Sequence, residues 1–311
     1  MKNSSPLVVL ASLGLLLNVS GQAAPTAVPT VGLVMKSLGN EFFKTMQEGA
    51  VAHAKKLGNV NLLTLGIQNE TDLAAQIGLV ENLIAKKVSA IVIAPADSRG
   101  LVPVLARAVN AGIRVVNIDV RLDPEALKKA NVTIPYVGPD NAAASKLSGD
   151  VLAKTLGKGA KVIILTGNPG ADNAAQRARG FTDAAKTGQL TVVASQTAHW
   201  ETDEAYTVTT NLLTANPDVK GIMASNDSMA LGAVRALQAQ GKTGSVRVVG
   251  FDNIDAVHPL LKDGSMLATV DQFGAAQASY GIDIALNMLK GKVYTGWVKT
   301  KVQLIRPADL K

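Results

Sequence analysis

The 311-residue chain contains no cysteine. That absence excludes a disulfide scaffold, a thiolate zinc site, a cysteine nucleophile and a cysteine-linked lipid anchor. Aromatic residues are scarce, at 4% of the chain, so an aromatic beside a polar cluster is informative. Charge of one sign is nowhere concentrated. Lys plus Arg is 31 against 24 for Asp plus Glu, and the net +7 is spread without a block of five or six like charges. Such a balance serves solubility and is not a nucleic-acid footprint. Enzyme signatures are missing as well. His53, His199 and His258 lack H-x-x-x-H and H-E-x-x-H spacing, and no G-x-S-x-G elbow occurs. Gly167–Gly170 resembles a phosphate loop only loosely, because neither G-x-x-x-x-G-K-[ST] nor a post-strand G-x-G-x-x-G is present. Asp119 and Asp252 are conceivable as a glycosidase acid–base pair. Two ionised acceptors in a hydroxyl-binding site account for them with fewer demands. No catalysis, metal or cofactor is expected.

What is present begins with an address. Lys2, the apolar run Leu7–Leu17 and the small residues Gly21-Gln22-Ala23 have the pattern of an export signal. Cleavage is expected near Ala23, with residues 1–23 removed. After it no run approaches the roughly 20 apolar residues a membrane helix needs, so a soluble, freely diffusing periplasmic protein is expected.

The rest alternates. Apolar runs at Val31–Met35, Val60–Leu65, Ala90–Ala94 and Ile113–Ile118 read as strands. Helical patterns at Glu41–Leu57, Asp72–Lys86 and Arg99–Asn110 separate them. After a pause at Leu122–Pro139, which holds three prolines, the rhythm resumes with strands at Val162–Leu165, Thr191–Ala194, Gly221–Ala224 and Val246–Phe251. Helices are expected between these at Asn173–Lys186, Glu204–Ala215 and Ser228–Gln240. Short continuous apolar strands between amphipathic helices indicate parallel sheets covered on both faces. Two series of similar size imply an α/β fold of two similar doubly wound lobes. A strand at Met266–Val270, a helix at Gln272–Leu289 and one last strand near Val298–Ile305 suggest that the chain crosses back between lobes.

In open α/β sheets ligands bind beyond the carboxyl ends of the strands. Lys36 and Asn40-Glu41-Phe42-Phe43 follow strand one, and Asp119 follows strand four. In the second series come Asn173 and Arg177, then His199-Trp200, Asn226-Asp227, Phe251-Asp252-Asn253 and Asp271-Gln272. Carboxylates, amides and aromatics from both lobes suit a sugar, with its vicinal hydroxyls and flat C–H faces. The plain alternatives are helix caps for Asn226 and Asp140, core packing for Phe42, Phe43 and Trp200, and a solvated loop for Lys36.

Several stretches carry a more specific likeness. They are Asn40-Glu41-Phe42-Phe43, Ala94-Pro95-Ala96-Asp97-Ser98, Asn117-Ile118-Asp119, Asn211-Leu212-Leu213 with Asn216-Pro217-Asp218, Ala224–Gly232 and Val248–Asp252. In this order they resemble the periplasmic sugar-binding proteins of the ribose-binding type, from Val31 to about Ile305. Sugar-responsive repressors share the fold, but here an export pattern stands where a helix-turn-helix belongs. The resemblance implies a type I periplasmic binding protein with two lobes joined by a three-stranded hinge. The first lobe would span 28–139 plus 272–300, and the second 140–271 plus 301–311. It further implies capture of a monosaccharide or sugar alcohol for an ABC importer, with a membrane permease and a chemoreceptor as partners of a monomer. Other functions open to this fold are reception of another small hydroxylated ligand in chemotaxis or quorum sensing, and a transcriptional effector domain.

By position, Asn40, Asp119, Asn226, Asp252 and Gln272 would bond hydroxyls. Phe42, Phe43, Trp200 and Phe251 would pack on or near the ring. Two departures touch this expected site. The ribose binder has an arginine directly after the strand-four aspartate, where this chain has Val120 and then Arg121. Its other sugar-binding arginine aligns nearer Ala175 than Arg177, with Asn173 able to take part of that role. Valine offers no donor where an arginine would offer a fork of them, so a ligand oxygen facing Val120 loses its partner, and D-ribose should bind at least about tenfold more weakly than the best ligand of a pentose, deoxyhexose and polyol panel.

Overall fold

The computed structural model describes Met1 and residues 28–310, so the expected export segment and its cleavage point lie outside the described residues. Strand β1 (Thr30–Ser37), helix α1 (Glu41–Leu57), β2 (Asn61–Ile67), α2 (Leu73–Ala85), β3 (Ala90–Ile93), α3 (Val102–Asn110) and β4 (Arg114–Ile118) follow the expected alternation. Every residue of β3 is buried, as a strand covered on both faces must be.

The proline-rich pause contains structure. Helix α4 (Pro124–Lys129) starts on an Asp123 cap with Pro124 in its first turn, where a missing N–H costs nothing. Strand β5 (Tyr136–Gly138) follows. Helix α5 (Asn141–Leu156) then leads to β6 (Lys161–Thr166) and α6 (Asp172–Gly188). The face α5 turns inward carries Ala144, Ser145, Ser148 and Gly149, so apolar periodicity does not reveal it. Those small residues let α5 lie close to α6: a Cβ on Gly180 would sit 2.1 Å from the Ala142 carbonyl oxygen.

The second series continues with β7 (Thr191–Thr197), α7 (Thr202–Ala215), β8 (Gly221–Ala224), α8 (Asp227–Ala239), β9 (Arg247–Val249), a 3₁₀ turn at Asp255–Val257, α9 (His258–Lys262) and β10 (Met266–Asp271). Helix α10 (Gly274–Leu289) packs on α1, β3 and β4. The last expected strand is two strands, β11 (Trp297–Lys299) and β12 (Gln303–Ile305).

These elements make two six-stranded sheets of matching order, β2-β1-β3-β4-β5-β11 and β7-β6-β8-β9-β10-β12. All pairings are parallel except β12 against β10. The chain passes between the two units three times: from β5 to β6, from β10 to α10 and from β11 to β12. The splitting of the final strand is the third passage. The result is two lobes of doubly wound parallel-sheet α/β structure.

Candidate functional site

The lobes meet across the carboxyl ends of their strands. One cavity there is lined by Lys36, Asn40, Phe42, Phe43, Glu70, Asp119, Asn173, Arg177, Trp200, Asn226, Asp252 and Gln272. Eleven of the twelve residues expected from the sequence are among them. Most are polar and nearly inaccessible to solvent: Lys36 is 3% exposed, Asp119 2% and Arg177 2%.

From the first lobe, Lys36 is the penultimate residue of β1, not part of a solvated loop. Its ammonium pairs with Glu70 at 3.0 Å and lies 5.1 Å from the Phe43 ring centroid and 5.2 Å from that of Trp200. Asn40 caps α1 by accepting from the Phe42 N–H, and its Nδ2 donates to Glu70 Oε1 at 3.0 Å. Glu70, in the turn after β2 and 1% exposed, is the residue the sequence reading omitted. The test of strand carboxyl ends, extended to the second strand, would have found it in Gln68-Asn69-Glu70.

Asp119 follows β4 with φ 61, a left-handed backbone unusual for a residue with a side chain. Its carboxylate takes no hydrogen bond from the described residues. Burial pushes its pKa up, and the charges of Lys36 and Arg177 oppose that push.

The second lobe supplies a more rigid arrangement. Arg177 donates from Nε to Asn141 Oδ1 at 2.8 Å and from Nη1 to the Ser225 carbonyl at 2.9 Å. Its guanidinium carbon lies 3.7 Å from the Phe251 ring centroid, and Nη1 lies 3.6 Å from Asp252 Oδ1. Phe251 is thus the expected ring-packing residue that does not line the cavity. It is fully buried beneath Arg177, packed with Ala144 and Val270. Asp252 accepts from Gln272 Nε2 at 2.7 Å. Burial raises its carboxyl well above the usual range, against the pull of Arg177 and Gln272.

Asn226 is both a cap and a lining residue. Its Oδ1 accepts from the Met229 N–H and its Nδ2 donates to the Trp200 carbonyl. Asp140, by contrast, only caps α5 and pairs with Lys299 away from the cavity. Trp200 sits flat at the end of β6, where a Cβ on Gly167 would come within 2.0 Å of the indole. Only glycine permits that approach. Among the described residues, three buried lining atoms lack hydrogen-bond partners: Glu70 Oε2, which has its ion pair with Lys36, and the Trp200 Nε1 donor and Asn173 Oδ1 acceptor, which have none.

The geometric premise of the Val120 expectation does not hold. Val120 is fully buried in the apolar core and is not a lining residue, because the left-handed turn at Asp119 points it away. Arg121 turns into a separate groove on the first lobe with Leu122 and Leu127. The argument that D-ribose loses a contact at Val120 therefore has no geometric basis. Arg177, not the exposed Ala175, occupies the cavity.

The cavity is closed by direct contacts between lobes. Ser98 N donates to the Gly170 carbonyl and Asp172 N to Ser98 Oγ, each at 2.9 Å. Asn168 Nδ2 donates to the Ala96 carbonyl, and Glu70 N to Glu201 Oε1.

Comparison with known proteins agrees with this architecture. The family model described as a periplasmic binding protein domain matches residues 31–293. A D-ribose/D-allose-binding protein of Pseudomonas aeruginosa is 46% identical over 304 residues, covering 96% of this chain and 95% of the relative. Among solved structures, an ABC transporter solute-binding protein from Burkholderia multivorans has a TM-score of 0.87 and 49% identity. It covers 89% of this chain and 99% of its own, and holds an unknown ligand represented as α-D-erythrofuranose. A solute-binding protein from Actinobacillus succinogenes with bound D-allose has a TM-score of 0.84 and 39% identity, covering 90% of this chain and 98% of its own.

Proposed function

The chain belongs to the periplasmic binding protein family, and on that premise we propose that it is a solute receptor, not an enzyme, that captures a monosaccharide or sugar alcohol between its lobes and delivers it to an ABC importer. One observation carries this reading. Buried polar atoms of both kinds converge from both lobes, and three groups remain unspent by the protein itself: the Asp119 carboxylate, Asn173 Oδ1 and Trp200 Nε1. A buried unpaired polar group costs about 1–3 kcal/mol, so each needs a ligand partner. A hydroxyl donates to the first two and accepts from the third. The faces of Phe42, Phe43 and Trp200 suit the C–H surface of a ring. Relatives named for D-ribose and D-allose, and a neighbour with bound D-allose, support the ligand class.

The mechanism is differential affinity. Ligand bonded to Asp119 in one lobe and to Asn173, Arg177 and Asp252 in the other stabilises the closed form over the open one. The proposed lobes span 28–139 plus 272–300 and 140–271 plus 301–311. The closed pair presents one surface to a membrane permease and, as a further proposed partner, to a chemoreceptor. A cavity completed within one chain favours a monomer. The proposed location is the periplasm, after cleavage near Ala23; intact mass of the exported protein should place its first residue at or near Ala24, and retention of Met1 would refute the processing.

The ligand class is tested by a thermal-shift panel of pentoses, hexoses and polyols followed by calorimetry. A ligand at about 100 times its dissociation constant adds about 2.7 kcal/mol of stability. At least one member should do so and be recovered chemically unchanged. A panel without effect, or turnover of the ligand, would overturn the reading.

A further inference from the structure

Glu41 is the first residue of α1, between the capping residue Asn40 and the cavity-lining Phe42, yet it does not line the cavity. Its carboxylate reaches across to the second lobe. Oε1 accepts from the Asp255 N–H at 2.7 Å and Oε2 from the Ala256 N–H at 3.4 Å, bridging 214 and 215 positions of sequence. Those two N–H groups open the 3₁₀ turn at Asp255–Val257 and have no carbonyl partner of their own within it. The segment they belong to, Asp252-Asn253-Ile254-Asp255-Ala256, also carries the cavity-lining aspartate and two consecutive positive-φ residues, Asp252 at 121° and Asn253 at 59°. On its far side the same segment is tied down by Asp227, whose Oδ2 accepts from the Ile254 N–H.

We propose that Glu41 is a positioning residue: a clasp that adds to closed-state stability and holds the Asp252 loop against the first lobe, raising affinity for every ligand alike without touching any of them. The inference rests on the receptor reading for its effect on affinity, but not for its effect on closure. Three physical points support it. The bond joins a charged acceptor to backbone donors, a strong class of hydrogen bond. The donors belong to the other lobe, so the bond exists only when the lobes are closed. The apparent dissociation constant equals the intrinsic one divided by the closed-competent fraction, so whatever raises that fraction tightens all ligands by one factor. A residue touching the ligand would instead change the ranking among ligands. The neighbouring Asp255 side chain is exposed and pairs with His258, which leaves its backbone N–H to Glu41.

The test uses the full chain and its Glu41→Gln and Glu41→Ala variants. Because the protein has no cysteine, Lys86→Cys and Lys220→Cys place spin labels on exposed sites of the two lobes without background. Pulsed electron-spin distances then give the closed fraction with and without sugar, and calorimetry gives affinities for the two best sugars of the panel. Both variants should lose closed population. Their affinities should fall about three- to thirtyfold for both sugars, with the ratio between the sugars unchanged and melting in the absence of sugar within a few degrees of the parent. Unchanged closed fraction and affinity would overturn the clasp, and so would a changed ratio, which would make Glu41 a ligand contact. If no sugar binds the parent, the receptor reading fails by itself; the sugar-free distances still decide the clasp, and a parent with no closed population overturns it too.

Discussion

In both lobes an aspartate with positive φ follows the fourth strand, Asp119 at 61° directly after β4 and Asp252 at 121° three residues after β9, and both line the same cavity. The surroundings differ. Asp252 accepts from Gln272, at the passage between the lobes, and lies beside an arginine held within its own lobe at Asn141, Ser225 and Phe251. The Asp119 carboxylate receives no hydrogen bond from the described residues. The bracing behind the strands differs too. In the first lobe neutral amides do it: Gln76 bonds the Met35 and Ala94 carbonyls and the Ala96 N–H, and Asn117 bonds the Val120 carbonyl and the Leu122 N–H. In the second lobe the brace is a carboxylate, Asp227, which accepts from the Thr269 hydroxyl and the Ile254 N–H. One topology thus supports one half of the cavity whose carboxylate is already bonded by protein groups and another whose carboxylate is left without such a bond. The difference teaches that lobe symmetry predicts where polar groups stand but not which of them remain available.

The largest expected effect comes from dismantling the half that is already bonded. Arg177→Ala leaves Asp252 buried beside no cation, at a cost of about 3–5 kcal/mol. Denaturant unfolding should show that loss, and calorimetry should detect no binding in the range of the parent. A fully stable Arg177→Ala would mean that the second lobe is not organised around this side chain.

Asp119→Ala probes the other half. Hydrogen bonds to charged groups contribute roughly 1.5–3 kcal/mol, so affinity should fall about ten- to more than a hundredfold. Stability without ligand should hold or rise, since a buried carboxylate with a burial-raised pKa is removed. Unchanged affinity would take Asp119 out of the site and erase the contrast between lobes.

A smaller effect separates the two braces by pH. Burial raises the Asp227 carboxyl to about 6 from 3.8. A carboxyl raised on folding keeps its proton longer in the folded state. Its contribution therefore favours folding below about pH 4 and is lost as pH rises to about 6. The span is on the order of 3 kcal/mol at most. Asp119 and Asp252 shift in the same direction. Asp227→Asn should gain stability relative to the parent as pH goes from about 4 to above 6, whatever its constant offset. A difference independent of pH would show that Asp227 does not titrate in this window.

The smallest effect is optical. Trp200 lies within the cavity and Trp297 outside it, against Tyr136 with its Nε1 bonded to the Gly138 carbonyl. Ligand should change the fluorescence of Trp200, and Trp200→Phe should remove most of that change. A response that survives would come from Trp297 and would report the β5–β11 pairing instead.

Much of this was legible in the chain. The alternation of apolar strands and amphipathic helices announced two doubly wound lobes, and the polar residues after the strands announced most of the lining of the cavity between them. The misses have physical causes. Helix α5 hides because its buried face is Ser, Ala and Gly, chosen for close approach to α6 and invisible to apolar periodicity. Strand β5 has three residues and follows Pro135, too short for a pattern. Lys36 looked like a loop residue because a lone lysine says nothing of the Glu70 that neutralises it from 34 positions away.

What the sequence determined by itself is what depends on neighbours along the chain: strand, helix, cap and the polar residue that ends each strand. Those properties follow from local periodicity and backbone preference, which act over a few residues. Tertiary structure alone decided the rest. It turned Val120 into the core and Phe251 beneath Arg177, because a left-handed residue or a packed ring is aimed by its surroundings. It brought Glu70 to Lys36 within the first lobe and the Asp255 N–H to Glu41 across the two lobes, because groups separated in sequence meet only in the folded chain and, for the second pair, only when the lobes are closed. Which polar atoms stay unpaired depends on every donor and acceptor nearby, and that inventory exists only in the folded chain.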